Sequence, residues 1–271
     1  MYQFHLAFLQ VMINYFRLSI VVSIFSLTVL SSCKEPQKSI IPVDQYLIAV
    51  SWFYPNNNFQ NWLLKHDSTL TFVNIYDLED DKIDSVLKVA DGYLLTGGCD
   101  VNPAEYGMEA EINRCGKIDP RRDSLEFLMV DQAFANRIPI LGVCRGMQVM
   151  NIVAGGDLIV DLPADRGTAI HQVEQRDAIH EVRVVEDSRF HRIVGCKAAM
   201  ANSNHHQAPG KIGSGYEVMA YAPDSVVEAF AFQDTTIHPF ALGVHWHPER
   251  MSQKNPLAGR VARSFITAAR K

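Results

Sequence analysis

The stretch Pro139-Ile140-Leu141-Gly142-Val143-Cys144-Arg145-Gly146-Met147-Gln148 constrains this chain more than any other. A short apolar run ending in glycine reads as a buried strand, and the unbroken apolar-rich segment 147–153 reads as the start of a helix. Cys144 falls on the turn between them, with glycines two residues to either side. A strand that turns sharply into a helix through G-x-C-x-G keeps the neighbours of the central residue small and pushes its side chain out at the top of a sheet. The helix behind it aims its first N–H groups and the positive end of its dipole at the sulfur, and both favour thiolate over thiol. A buried cysteine in an ordinary strand–helix turn satisfies the same pattern, so a second motif has to decide.

Phe240-Ala241-Leu242-Gly243-Val244-His245-Trp246-His247-Pro248-Glu249 is that motif, a second apolar strand ending in His-Pro-Glu. A cysteine nucleophile needs a base, and the base needs a group that orients it. His247 and Glu249 lie two residues apart, so on extended chain they project to the same side. The segment 90–95 is a further apolar strand, followed by Gly97-Gly98. Glycines let backbone approach a ligand closely, as an N–H aimed at a developing oxyanion requires.

Cys144-Arg145-Gly146-Met147-Gln148 and Gly243-Val244-His245-Trp246-His247-Pro248-Glu249 together resemble class I glutamine amidotransferase domains. Asn202-Ser203-Asn204-His205-His206-Gln207 narrows the resemblance to the peptidase C26 branch typified by gamma-glutamyl-gamma-aminobutyrate hydrolase. It extends from about residue 46 to residue 271. It implies a flavodoxin-like α/β fold with a mostly parallel sheet and helices on both faces, and ligand beyond the carboxyl ends of the strands. It implies Cys144 as nucleophile, His247 as base, Glu249 as its orienter, and the N–H groups of Gly98 and Arg145 as oxyanion donors. Gln148, Ser203, His205 and His206 are implied to hold the glutamyl part of a small γ-glutamyl substrate, and no cofactor is implied. Asn102-Pro103-Ala104-Glu105-Tyr106-Gly107 resembles the family's Pro-x-x-Tyr-Gly loop. Asp119-Pro120-Arg121-Arg122-Asp123-Ser124-Leu125-Glu126 resembles a family run as well, but capping and short-range ion pairs are sufficient reasons for these residues. The region before the second strand departs from the family, which has a longer helix and a Gly-Gly turn there.

The remaining patterns agree with α/β. Strands are expected at 46–51, near the sheet centre, and at 70–75. Helices are expected at 59–65, 80–89, 119–136 and 261–270. Strands at 181–185, 216–222 and 226–232 suggest an antiparallel extension of the sheet. With 271 residues, 48% hydrophobic and 20% charged, one ordinary domain with ample core is accommodated. A net charge of -5 gives no reason to expect nucleic acid or an anionic membrane surface as partner. Oligomeric state is left open, a homodimer included.

Residues 1–33 read as a leader. Arg17 precedes the apolar run 18–30, and Leu30-Ser31-Ser32-Cys33 follows. The run is shorter than the ~20 residues that a spanning helix needs. The ending resembles a bacterial lipobox, with Cys33 lipid-modified, 34–45 as a tether and 46–271 as the domain. Met12 is an alternative start. The expected location is membrane-anchored on the periplasmic or cell-surface side. Export permits disulfides. Cys99 and Cys115 flank one loop and could pair, whereas Cys144 has to stay free.

His171, His180, His205, His206, His245 and His247 invite a zinc reading, and His245-x-His247 has ligand-like spacing. That reading leaves the elbow and Gly97-Gly98 without a role, and no carboxylate or cysteine ligand stands obviously among the histidines. No metal is therefore expected, and His245 reads as a supporting or core histidine. Three functional readings follow: a free-standing γ-glutamyl hydrolase, a glutaminase subunit that feeds ammonia to a synthase, and a binding protein on the same scaffold. An export signal argues against the second, and the intact Cys144, His247 and Glu249 against the third.

Overall fold

The computed structural model describes residues 45–232 and 234–271. The expected leader, Cys33 and the tether as far as residue 44 lie outside the described residues. The sheet is built from β1 (Tyr46–Val50), β2 (Leu70–Asn74), β3 (Gly92–Leu95), β4 (Ile140–Val143), β6 (Ala178–Val184), β7 (Ala198–Ser203), β9 (Tyr216–Tyr221), β10 (Val227–Phe232) and β11 (Ala241–Val244). A separate short pair joins β5 (Leu158–Ile159) to β8 (Ala208–Pro209). The helices are α1 (Asn58–Leu64), α2 (Asp80–Leu87), α3 (Pro120–Asn136), α4 (Arg145–Val153), α5 (Leu162–Arg166), α6 (Arg189–Val194) and α7 (Pro256–Ala269).

Strand order is β2-β1-β3-β4-β11-β10-β9-β6-β7. The first five run parallel, and from β10 onward each neighbouring pair is antiparallel. Parallel strands buried on both faces carry apolar residues at every position, not at alternate ones, and β3 and β4 are buried throughout. Successive side chains still part to opposite faces. Ile48, Val50, Leu94, Leu141 and Val143 pack on one side with Trp246 and with Leu257, Val261 and Phe265 of α7. Ala49, Tyr93, Leu95 and Ile140 pack on the other with Met129 and Val130 of α3 and Met147 and Met150 of α4. Helices therefore cover both faces.

Local chemistry sets the helix boundaries. Asp119 accepts from the N–H of Arg122 at 3.1 Å and Pro120 occupies the first helical position of α3. The helix stops where Arg137 turns to φ 59°, two residues before Pro139. Asn255 and Pro256 repeat the same start on α7, with Leu257 N–H donating to Asn255 Oδ1 at 3.0 Å. This capping pair puts the start of α7 at residue 256 and not at 261.

One further expectation is corrected, and one open question is answered. β1 lies second from one edge, because the antiparallel strands all add beyond β11 and move the centre of the sheet there. Cys99 and Cys115 are both free thiols. Among the elements without an expectation are β7, whose Ala-Ala-Met-Ala-Asn-Ser run is nearly without large apolar residues, and the short α6, capped by Ser188.

Candidate active site

β4 and β11 are neighbours in register, Val143 opposite Val244. Whatever follows each strand emerges at the same edge, and Cys144 N–H donates to the Val244 carbonyl at 2.8 Å. The cysteine stands at φ 51°, ψ −109°, a conformation that a non-glycine residue holds only under strain of about 1–3 kcal/mol. Its flanking glycines are contact points. A Cβ on Gly142 would come within 2.6 Å of the Gly146 carbonyl, and one on Gly146 within 2.6 Å of Leu95 Cβ. The G-x-C-x-G spacing thus lets the turn close on itself and on β3.

His247 begins a single 3-10 turn, Pro248–Arg250. Its Nδ1–H donates to Glu249 Oε1 at 3.0 Å, and its backbone N–H donates to Asn202 Oδ1 at 3.1 Å. The ring is buried and close enough to the Cys144 sulfur to feel its charge. Burial disfavours its charge, but the sulfur and the Glu249 carboxylate outweigh burial and raise the imidazole to about 10. Gly97 packs against the pair: a Cβ there would stand 2.9 Å from His247 Cε1 and 3.7 Å from Cys144 Cβ.

Four buried charges underlie the Gly97-Gly98 turn. Arg122, Asp123 and Glu126 come from α3, and Arg145 is the first residue of α4. Arg145 pairs with Asp123 at 2.5 Å and with Glu126, while Arg122 Nε donates to Glu126 at 2.8 Å. Arg122 Nη2 also donates to the carbonyl oxygens of Thr96 at 2.9 Å and Gly97 at 2.6 Å. Burial and the nearby Arg122 pull the Arg145 guanidinium down to about 10, against the pull of Asp123. Capping and short-range pairing do occur here, yet these residues do more than the sequence suggested: they join α3, α4 and the turn after β3.

The cleft in front of Cys144 encloses about 420 Å³ and is lined by Tyr54, Asn56, Asn58, Phe59, Gly98, Cys99, Asn204, His247, Glu249 and Arg250. A larger surface hollow of about 590 Å³ along Met108, Glu109, Asp165 and Lys211 contains none of Cys144, His247 and Glu249. Tyr54, Asn56, Asn58 and Arg250 were not picked out by sequence. The only signal for the first three was their place in a polar turn within the region that departs from the family.

Four residues assigned to the glutamyl group do not reach the cleft. Gln148 Nε2 donates to the Gln207 carbonyl at 3.3 Å and touches His245 Nε2 at 3.2 Å. Ser203 Oγ–H donates to the His171 carbonyl at 2.8 Å. His206 Nε2 sits 2.9 Å from Asp100 Oδ2. His205 is buried with His171, His180 and Glu228 in a separate cluster. The physical reason is burial against other partners: of residues 202–207, only Asn204 lines the cleft. Glu228 also corrects the expectation that no carboxylate stands among the histidines. His245, fully buried, stacks on His205 with ring centroids 3.5 Å apart.

A cysteine elbow beside a histidine–glutamate pair, on a parallel sheet covered by helices, defines the class I glutamine amidotransferase-like fold. The glutaminase domain of Trypanosoma brucei CTPS with bound acivicin superimposes with a TM-score of 0.55 at 18% identity, over 83% of this chain and 94% of that one. A glutamine amidotransferase from Thermotoga maritima gives 0.52 at 14% identity, over 83% of each chain. The peptidase C26 family model matches residues 54–249, and the chain belongs to that family. Among its relatives, gamma-glutamyl-gamma-aminobutyrate hydrolase PuuD of Escherichia coli is 34% identical over 70% of this chain and 76% of its own. Protein NtpR of Enterococcus hirae is 31% identical over 61% of this chain and 69% of its own.

Proposed function

We propose that the chain is a cysteine-nucleophile hydrolase that cleaves the γ-glutamyl amide bond of small γ-glutamyl amines or peptides. The observation that carries this reading is the placement of His247 between Glu249 Oε1, at 3.0 Å, and the Cys144 sulfur. The sulfur attacks the γ-carbonyl carbon, and the carbonyl oxygen becomes an oxyanion facing the N–H groups of Gly98 and Arg145. Arg145 N–H belongs to the first turn of α4, where no acceptor exists one turn back along the helix. His247 passes its proton to the departing amine and Glu249 keeps the ring in the required tautomer. Water, deprotonated by His247, then cleaves the thioester and frees the γ-carboxylate.

The same geometry favours a free-standing hydrolase over an ammonia donor that waits for a partner. The Gly97 carbonyl is held by Arg122 and by Tyr54 Oη–H at 3.0 Å. In a planar trans peptide the Gly98 N–H points the opposite way from that carbonyl, so its direction is set in the isolated chain. The 34% identity to a gamma-glutamyl-gamma-aminobutyrate hydrolase supports the substrate class. Glutamine and γ-glutamyl-aminobutyrate at equal concentration, offered to the purified protein, test the reading. Preferred turnover of the second is expected. Exclusive use of glutamine, or no turnover until a second protein is added, refutes it.

The location is part of the proposal. Cys33 is acylated, the mature chain begins there, and the domain sits on the outer side of a membrane. The support is the apolar run 18–30 followed by Leu30-Ser31-Ser32-Cys33. Mass spectrometry of the protein expressed with its own leader should find a diacylglyceryl modification on Cys33. An unmodified, full-length N-terminus removes this part.

A further inference from the structure

A second convergence of side chains lies away from the cleft, in the antiparallel half of the sheet. His171 follows α5, His180 is on β6, His205 follows β7 and Glu228 is on β10. They are 1%, 5%, 4% and 0% exposed. His171 Nδ1, His180 Nε2 and His205 Nε2 stand 3.3, 3.5 and 3.6 Å from Glu228 Oε1. Taken together, one ligand atom from each of the four lies within 4.8 Å of all the others.

The far nitrogen of every ring is already engaged. His171 Nε2 meets Asp224 Oδ2, His180 Nδ1 meets the Glu181 carbonyl, and His205 Nδ1 meets the Gln207 carbonyl, each at 3.0 Å. An oxygen acceptor requires the N–H on that nitrogen, so each neutral ring turns its lone pair inward. Three lone pairs and a carboxylate then face one point with no donor among them. His171 Nδ1, His180 Nε2, His205 Nε2 and both Glu228 oxygens are buried without a hydrogen-bond partner. Desolvated acceptors in that number are not tolerated without something positive between them.

The spacing selects what that is. Four ligands at about 2.0–2.1 Å from a tetrahedral ion stand about 3.3–3.4 Å from one another. The three separations to Glu228 fall close to that edge and are long for N–H···O hydrogen bonds. Imidazole nitrogens with one carboxylate suit a divalent transition metal better than calcium or magnesium, which take oxygen ligands. Anchoring of each ring by a carboxylate or a backbone carbonyl is the support that metal-bound histidines have.

We propose that His171, His180, His205 and Glu228 bind a zinc ion. With four protein ligands and no open position, the site is structural. Its function is to fasten the loop after α5, the loop after β7 and strands β6 and β10 to the edge that carries the triad. Glu228 O accepts from His245 N–H at 2.9 Å, two residues before His247, and Asn204 of the cleft adjoins His205.

The test reads metal and stability, not catalysis, so it is independent of the hydrolase reading. The purified protein should carry one zinc per chain by mass spectrometry of the metal, retained through dialysis against a chelator because the site is buried. Protein unfolded with chelator and refolded without metal should melt lower, and adding zinc chloride before refolding should restore the melting temperature. Refolding with cobalt(II) should give the intense visible bands of tetrahedral cobalt, absent in Glu228→Gln and His180→Ala. Should those variants not fold, the wild-type cobalt spectrum decides alone. No visible bands and no zinc-dependent shift in melting overturn the proposal in favour of shared protons. A sulfur-to-cobalt charge-transfer band also overturns it, by placing the ion on a cysteine.

Discussion

Arg122 Nη2 donates to the carbonyl oxygen of Gly97 at 2.6 Å, so a buried guanidinium fixes the peptide that ends in the Gly98 N–H. The same nitrogen holds Thr96 at both its carbonyl and its hydroxyl, each at 2.9 Å. Arg122 Nε is occupied by Glu126, which also holds Arg145. The two proposed oxyanion donors are therefore tied to one charge cluster, which balances two arginines against Asp123 and Glu126.

Replacing Arg122 separates its two effects. Arg122→Lys keeps the charge but not the planar fork that serves Glu126, Thr96 and Gly97 at once. We expect kcat to fall by as much as about 10²–10³, the scale of one lost oxyanion donor, with a smaller change in KM. Arg122→Met leaves Glu126 short of a partner and should cost stability on the scale of about 3–5 kcal/mol seen for broken buried pairs. Urea unfolding and steady-state kinetics measure the two separately. A lysine variant with wild-type kcat would show that Arg122 does not orient the turn.

Gly97→Ala and Gly146→Ala should fail in different ways. The methyl at 97 would stand 2.9 Å from His247 Cε1, so the movable imidazole gives way. A displacement near 1 Å at the reacting groups is worth about 10² in rate, so kcat should drop while the melting temperature holds. The methyl at 146 meets Leu95 Cβ and backbone of β3 at 2.6–2.7 Å, neither of which moves freely. That variant should lose about 1–3 kcal/mol of stability, as overpacked cores do. Equal melting temperatures for the two variants would contradict this division.

In the proposed mechanism His247 sets the alkaline limit. Its folded value, raised to about 10, exceeds the ~6.5 of an unfolded histidine. Its contribution to stability is thus complete below about pH 6.5, and is lost as pH climbs through about 10. The alkaline limb of kcat/KM should fall near pH 10 in wild type. In Cys144→Ala the sulfur's share is gone and the His247 titration, followed by NMR of the ring, should move down. An unchanged titration in that variant would show that Cys144 does not interact with the ring.

Cys144 joins the proposed chemistry to backbone strain. Cys144→Ala should abolish hydrolysis and retain the fold, and a glutamyl chloroketone should add to Cys144 of the wild type. Label on Cys99, which also lines the cleft, would reassign the nucleophile. Because φ is 51° at this position, Cys144→Gly should be more stable than Cys144→Ala by about 1 kcal/mol. The reverse order would mean that the elbow is not strained.

By itself, the sequence determined the parts of this protein whose information is local. A strand, a tight turn and a helix follow from G-x-C-x-G between apolar runs. His247 and Glu249, two residues apart, are within reach of each other wherever their strand lies. Asp119-Pro120 marks a helix start by capping alone, and Asn255-Pro256 carries the same local signal, which the apolar pattern from 261 onward had obscured. Tertiary structure decided whatever depends on which strands become neighbours and which way a side chain turns. The register of Val143 with Val244 brings Cys144 to His247 across about a hundred residues. Helix packing converts Arg122, Asp123 and Glu126 from a capping run into the buried support of a turn. The end of β7 leaves Asn204 lining the cleft, while Ser203 and His205 are buried against His171 and Glu228. Glu228, on β10, stands among three histidines from distant segments, and no spacing in the chain announces it. Side-chain chemistry is written in the residue, but its partners depend on strand order and burial, which are properties of the whole fold.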